Sequence, residues 1–348
     1  MAPIRRIGVI LFAATLFTSA AHGAEPANFY QGKNIRIIVG LSAGGGYDLY
    51  TRTIARHMGR HIPGNPSITV ENMSGAGSLI ATNHIYKVAK PDGLTIGHFL
   101  GGLFLQQLLG KPGIEFDSQK FEHIGVPGQD NFMVGVAKST GITDVEKWVA
   151  SKQMLKFGGT ALGAGSDDLA LMLRHALGLP LQLVNGYKGT AEIRLAFNSG
   201  ELTGLVNAWE STKSTWRREL DSGEKRIILQ ATLTPHPDLP KMPMALNMIK
   251  NEADKKLLSV VIRAHGATVR PYVLPPKTPK DRVQLLRKAF TDTMKDPDYL
   301  ADLAKSKLEF SPKSGEQMQA EIAGISRLPA NVVDRFRKLS AQEPGSRR

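Results

Sequence analysis

The chain has 348 residues, 42% hydrophobic and 22% charged, with a formal net charge of +13. Those fractions are ordinary for a globular protein, and the length allows two domains with cores of their own. It contains no cysteine, which excludes disulfides, thiolate zinc sites, iron–sulfur clusters and cysteine nucleophiles. The basic residues are scattered, as at Arg52, Arg56, Arg60, Lys87 and Lys90, and are not interleaved with aromatics on one face. The charge therefore reads as a solvated basic surface, with no nucleic-acid partner.

The first segment, residues 1–24, predicts a secretory signal peptide. Arg5 and Arg6 form a basic start, Ile7–Phe17 an apolar run, and Ser19, Ala20, Ala21, Gly23 and Ala24 a small-residue cleavage region. The apolar run is shorter than the roughly 20 residues a spanning helix needs. With no cysteine near the cleavage region there is no lipid attachment point, so the expectation is a free periplasmic protein.

Short apolar runs then alternate with amphipathic helices, the pattern of an α/β fold. Ile35–Val39 predicts a buried parallel strand. Gly40–Gly46 is a glycine-rich turn, and Asp48 opens a helix whose Tyr50, Ile54, Met58 and Ile62 recur every four residues. Ile68–Val70 and Leu94–Phe99 predict further strands, followed by glycine loops at Gly75–Gly77 and Gly101–Gly102. Beyond Asn131, strands are predicted at Met133–Ala137, Lys156–Gly159, Leu181–Val184, Leu202–Val206 and Ile227–Leu229. Thr143 to Glu146 reads as a capping box. Ser166 reads as the cap of a helix carrying Leu169, Leu173 and Leu177 and ended by Gly178. Gly189 and Thr190 open a helix that stops at Gly200. The four prolines of 234–243 rule out helix or central strand there and mark a crossing back to the first domain. Thr278 and Pro279 start another helix, with Val283, Leu286 and Phe290 facing a core. The tail Gln342–Arg348 reads as frayed.

One device recurs: strand, glycine loop, helix N-terminus. It occurs at Gly44–Gly46, Gly75–Gly77, Gly163–Gly165 and Gly186–Gly189. Such loops expose amide N–H groups, and the following helix dipole favours an anion. One such loop is a tight turn; four in an open parallel sheet suggest a shared crevice at the strand C-termini. A carboxylate could be held there without a buried arginine. Neither Gly75–Ile80 nor Gly163–Asp168 completes a dinucleotide or phosphate-loop fingerprint, so no cofactor is expected. Asp48 reads as a helix cap that can also touch ligand or ordered water, but not as an anion ligand. Catalytic patterns are poor. Ser166 lies in no nucleophile elbow, His57 and His61 form a polar helix face, and His123, His175, His236 and His265 stand alone. Asp167 and Asp168 read as first-turn helix charge. No catalytic or metal-binding residue is expected.

These loops also carry a resemblance. Ile35–Val39 through Gly44–Asp48, Val70–Asn72 with Gly75–Gly77, Pro91–Thr95, Gly163–Ser166, Tyr187–Gly189 and Gly200–Gly204 are similar, in order and spacing, to motifs of the tripartite tricarboxylate transporter substrate-binding proteins, the Bug-type receptors. The likeness runs from about Phe29 to Leu339. The chain departs from the family pattern at Gly40, Ser42 and Ala43, at the longer 61–66 segment, and at Gly186. The resemblance implies a type 2, Venus-flytrap periplasmic binding protein of two α/β lobes that close on a ligand without a chemical step. Lobe 1 would be 28–130 with 232–345, lobe 2 would be 131–231, and the hinge would lie near Gly128–Asn131 and Leu229–Thr234. A small carboxylate would be pinched by Ser42, Ala43, Gly44, Gly45 and Gly46 on one side and by Thr160, Gly163, Gly165 and Ser166 on the other. Gly77, Ser78, Gly101, Tyr187 and Asn207 would form side walls. The implied partners are integral membrane transporter subunits, with a monomer as the default state. A ligand-sensing subunit for a membrane kinase shares this fold, and an exported hydrolase using Ser166 or a histidine is the alternative from another class.

Overall fold

Eleven strands among the described residues build two separate open sheets. The first contains β1 (Asn34–Val39), β2 (Ser67–Asn72), β3 (Thr95–His98), β4 (Glu122–Val126), β10 (Tyr272–Leu274) and β11 (Lys313–Ser314), in the order β11-β4-β10-β3-β1-β2. The second contains β5 (Phe132–Ala137), β6 (Leu155–Gly158), β7 (Leu181–Val184), β8 (Gly204–Ala208) and β9 (Lys225–Ala231), in the order β7-β6-β8-β5-β9. The computed structural model describes residues 29–161 and 163–341; the predicted leader and the predicted frayed tail lie outside the described residues.

Both sheets are mixed. β1 runs parallel to β2 and β3, while β10 and β11 return antiparallel; β6 runs parallel to β7 and β8, while β5 is antiparallel to β8 and β9. The predicted two-lobed α/β architecture is what the chain adopts. All the strands expected from apolar runs are present. β4, β10 and β11 were not expected. β4 begins Glu122-His123, β10 has three residues ahead of two prolines, and β11 has two, so none carries a run long enough to read as a strand.

Five helices bear on the site: α1 (Gly46–Met58), α2 (Gly165–Leu177), α3 (Trp209–Thr215), α4 (Glu252–Thr268) and α5 (Ala330–Ala341). Tyr50, Ile54, Met58 and, just beyond, Ile62 are buried, as the four-residue repeat of α1 predicts. The helix starts fall differently from expectation. Gly45 is the N-cap of α1, so Asp48 sits inside the first turn. Ala164, not Ser166, precedes α2. Asp144, not Thr143, caps the 145–151 helix by accepting from the Lys147 amide. Pro279 occupies the cap position ahead of the helix Lys280–Thr293, and Thr278 donates to the Pro275 carbonyl instead. In each case the expected residue stands within three positions of the observed cap, and tertiary packing sets where the backbone turns from extended to helical.

The chain passes from the first sheet to the second through residues 127–131 and returns between Ala231 and Tyr272. Packing after the return is divided. β10, β11 and the 280–305 helices join the first lobe, whose core includes Ile37, Tyr50, Leu286 and Phe290. α4 and α5, by contrast, place Leu257, Val261 and Phe336 in the core of the second lobe with Phe157, Leu169 and Leu173. At the centre of that core Trp148 stacks on Phe157, with ring centroids 5.6 Å apart, and its indole N–H reaches the Gln153 carbonyl at 2.9 Å. Trp148→Ala is expected to cost about 3–5 kcal/mol in urea unfolding; a loss under 1 kcal/mol would show that the second lobe does not depend on this stack.

Candidate functional site

The loops leaving β1 and β2 meet those leaving β7 and β6, respectively, across the space between the lobes. The Ser42 amide donates to the Lys188 carbonyl at 3.0 Å, a direct backbone bond from one lobe to the other. Glycines allow the rest of the approach. A Cβ on Gly189 would stand 2.7 Å from Ser42 Oγ, and one on Gly77 2.7 Å from the Ala161 Cβ. Lys213 of α3 reaches Asp238 at 2.7 Å and also pairs with Glu309 of the first lobe. The rims therefore touch, and the lobes are closed on each other.

Behind the rims lies a small cavity. Its second-lobe wall includes Thr160, Gly165 and Ser166 on the loop into α2, Thr190, and Asn207 on β8. The floor brings in Tyr47, Asp130, Ser211, His265 and Arg270. The remaining predicted residues are distributed as follows. Ala43 and Gly44 are exposed at the rim, and the Gly44 amide is already committed to Asp48 Oδ2 at 2.9 Å. Gly45 lies against Thr190, and Gly46 against Ser211 and Arg270. Ser78 is fully buried and donates to the Gly40 carbonyl at 3.0 Å, bracing the first loop from behind. Gly101 packs so closely on the Thr268 carbonyl that a Cβ would stand 1.7 Å from it. Gly163 adopts φ +99° against Gln106. Tyr187 does not line the cavity; its hydroxyl bonds Glu201 at 2.6 Å on the outer side.

The acids near the loops are structural. Asp48 accepts from Gly44, from Arg52 at 2.9 Å and from Asn72 at 3.0 Å, which ties the first loop to α1 and β2. Asp167 accepts from Ser166 Oγ at 2.9 Å, and burial pushes its carboxyl well above the ordinary range. Asp168 holds the Gly163 amide at 3.1 Å, Gln106 at 2.9 Å and His265 Nε2 at 3.1 Å. His265 is thus not isolated, as its place in the sequence suggested: it is the far end of a network that fixes the second loop.

The cavity between the loops does include a buried arginine, which the sequence reading did not call for. Arg270 is 1% exposed, and its Nε and Nη2 donate to Asp130 Oδ1 at 3.0 and 2.6 Å. The rings of Tyr47 and Tyr50 lie 4.7 and 4.5 Å from the guanidinium carbon. Its Nη1, the hydroxyl of Ser211 and the hydroxyl of Thr160 are buried with no hydrogen-bond partner among the described residues. Arg270, Asp130 and Ser211 gave no signal as site residues in the sequence, and Thr190 was read only as a helix start. Arg270 and Asp130 are 140 residues apart, and neither lies in a glycine loop.

Comparison with known proteins fits this geometry. The model of the tripartite tricarboxylate transporter family receptor matches residues 51–333. The chain belongs to that family. A UPF0065 protein from the gbd 5′ region of Cupriavidus necator is 25% identical over 97% of this chain and 98% of its own length. The solved periplasmic binding protein BugD superposes with a TM-score of 0.72 at 22% identity, covering 89% of this chain and 98% of BugD. MatC from Rhodopseudomonas palustris, solved with bound malate, gives 0.69 at 18% identity, over 88% and 99%. The fold of this family member is therefore that of the periplasmic binding proteins. No helix among the described residues is long and apolar enough to cross a membrane.

Beside the Asp130–Arg270 pair, Glu210 is fully buried and accepts from the Asn131 amide at 3.0 Å and its Nδ2 at 2.7 Å. Burial, and then the charge of Asp130, push its carboxyl up to about 8. The folded chain keeps a proton that unfolded glutamate gives up at about pH 4.3. Its contribution is fully present below that value and is lost as pH rises toward about 8. Glu210→Gln is expected to flatten the fall in urea midpoint between pH 5 and 8 relative to the parent chain; parallel profiles would place the titration elsewhere.

Proposed function

We propose that this chain is a periplasmic receptor that closes on a small organic carboxylate and presents it to the integral membrane subunits of a tripartite tricarboxylate-type transporter, with no chemical step of its own. One observation carries the reading. Thr160, Ser211 and Arg270, drawn from both lobes, line one cavity, and each carries a buried donor that lacks a partner among the described residues. Each such group costs about 1–3 kcal/mol when left unpaired, so an acceptor-rich ligand offsets a cost the closed form otherwise bears. The N-termini of α1 and α2 open beside the same space, and the first amides of a helix have no acceptor within it.

The proposed contacts are Ser42, Gly45 and Gly46 from the first loop and Thr160, Gly165, Ser166 and Asn207 from the second lobe. MatC binds malate, and short hydroxy- and dicarboxylic acids fit the hydroxyl-lined wall here. Ser166 Oγ donates to Asp167, not to His265, so the arrangement favours binding over serine chemistry. A leader on 1–24 accounts for delivery to the periplasm.

Thermal unfolding of the mature protein against small carboxylates, with their amides as controls, tests this. A ligand at 100 times its Kd adds about 2.7 kcal/mol, an expected midpoint rise of roughly 5–10 °C. A rise with an acid and none with its amide is expected; amides as good as acids, or no response to any acid, would sink the reading. Gly45→Asp is expected to weaken binding at least ten-fold while sparing stability, because aspartate is a favourable N-cap and a Cβ there meets only ordinary contacts, 3.8 Å from Thr190 and Ser42. Transport is checked by uptake of the labelled acid in cells lacking the receptor.

A further inference from the structure

We propose that Arg270 and Ser211 form a charged anchor on the cavity floor that grips one carboxylate of the ligand directly and couples it to both chain crossings. This rests on the receptor reading above and names the residues that decide which ligands are held.

Two of the three guanidinium nitrogens are committed to Asp130. The third, Nη1, is buried at the cavity floor with no partner among the described residues. Ser211 Oγ is in the same condition, in a residue 3% exposed. The two donors lie beside each other, both packed against the backbone of Gly46. A Cβ on Gly46 would stand 2.9 Å from Ser211 Oγ and 3.4 Å from Arg270 Nη1. Gly46 has no side chain, so the backbone at the start of α1 approaches both donors closely. Gly45 provides no side-chain cap for the first amides of α1. A guanidinium N–H, a hydroxyl and an uncapped helix start close together beside the cavity suit a carboxylate.

The surrounding charges leave room for an anion. Asp130 is offset by Arg270 itself, and Glu210 is held mostly protonated below about pH 8. The rings of Tyr47 and Tyr50 shield the guanidinium from water, which strengthens a contact on its remaining edge. Arg270 also adopts φ +57°, a left-handed conformation that costs a residue with a side chain about 1–2 kcal/mol. Strain of this kind collects where a side chain must be aimed.

The anchor sits where the crossings meet. Asp130 lies in the 127–131 crossing, and Arg270 ends the segment that returns from Ala231 to β10. Ser211 belongs to α3 of the second lobe. A carboxylate on Nη1 and Oγ therefore bonds the two lobes at their hinge side, while the glycine loops hold the ligand at the rim. Binding and closure then share one contact.

Calorimetric titration of the parent chain, Ser211→Ala and Arg270→Lys with malate, succinate, adipate and propionate, and with the monoamide succinamate, provides the test. Arg270→Lys keeps a cation beside Asp130 but loses the fork that serves two partners at once. Ser211→Ala removes a hydroxyl that has no partner among the described residues, so it leaves folding intact even if the arginine variant does not fold. The expected result is at least a ten-fold loss of affinity for the preferred acid in each folded variant. If the parent chain binds an acid and both folded variants hold it within two-fold, the anchor is overturned and the receptor reading stands. If Ser211→Ala alone folds and binds within two-fold, the anchor is likewise overturned. If the parent chain binds none of the acids, the anchor and the receptor reading fall together.

Discussion

The arrangement of this protein depends on one buried ion pair. Asp130 and Arg270 are 8% and 1% exposed, stand on the two segments that join the lobes, and meet at 2.6 Å. A buried pair of this kind adds little net stability, because desolvation cancels much of the attraction. Its importance is positional. Removing either partner leaves an uncompensated charge in the interior, so the two crossings are held in register by the cost of separating them. Tyr47 and Tyr50 reach the same guanidinium from α1, which brings the first glycine loop into the same arrangement.

Closure follows from backbone as much as side chains. The Ser42–Lys188 bond and the glycine contacts at Gly77 and Gly189 bring the rims within van der Waals reach. Side chains at those glycines would hold the rims apart. The acids that line the approach are engaged with the loops themselves. Asp48, Asp167 and Asp168 each hold loop amides or hydroxyls in place, an arrangement that sets the loops before anything binds. Such preorganisation lowers the entropy lost on binding.

The helices α4 and α5 give the lobes an unequal make-up. They follow the return crossing in sequence, yet their apolar faces complete the core of the second lobe. His265, on α4, reaches the Asp168 network at 3.1 Å. Motion of one lobe against the other therefore has to carry α4 with the second loop, or break that network.

The α/β architecture, the main strands and the glycine loops were legible in the sequence because they rest on local rules. Ile35–Val39 is apolar because it is buried between layers, and Gly77 and Gly163 are glycines because their φ angles, +58° and +99°, exclude most other residues. Gly165 and Ser166 at the cavity wall belong to a loop those patterns single out, while Thr160 and Asn207 were implied by the family resemblance. Tertiary structure decided what those rules do not reach. The strands β4, β10 and β11 are too short or too polar to announce themselves. The cap positions moved because packing sets where each helix begins. Ser78 and Tyr187 carry polar groups that suit a ligand, but one braces a loop and the other faces Glu201. The floor of the site is built from Asp130, Ser211 and Arg270, far apart in the chain and outside any motif. A sequence records which residues can bury, turn or cap; it does not record which distant side chains will be brought to one point, because that depends on how two independent sheets meet.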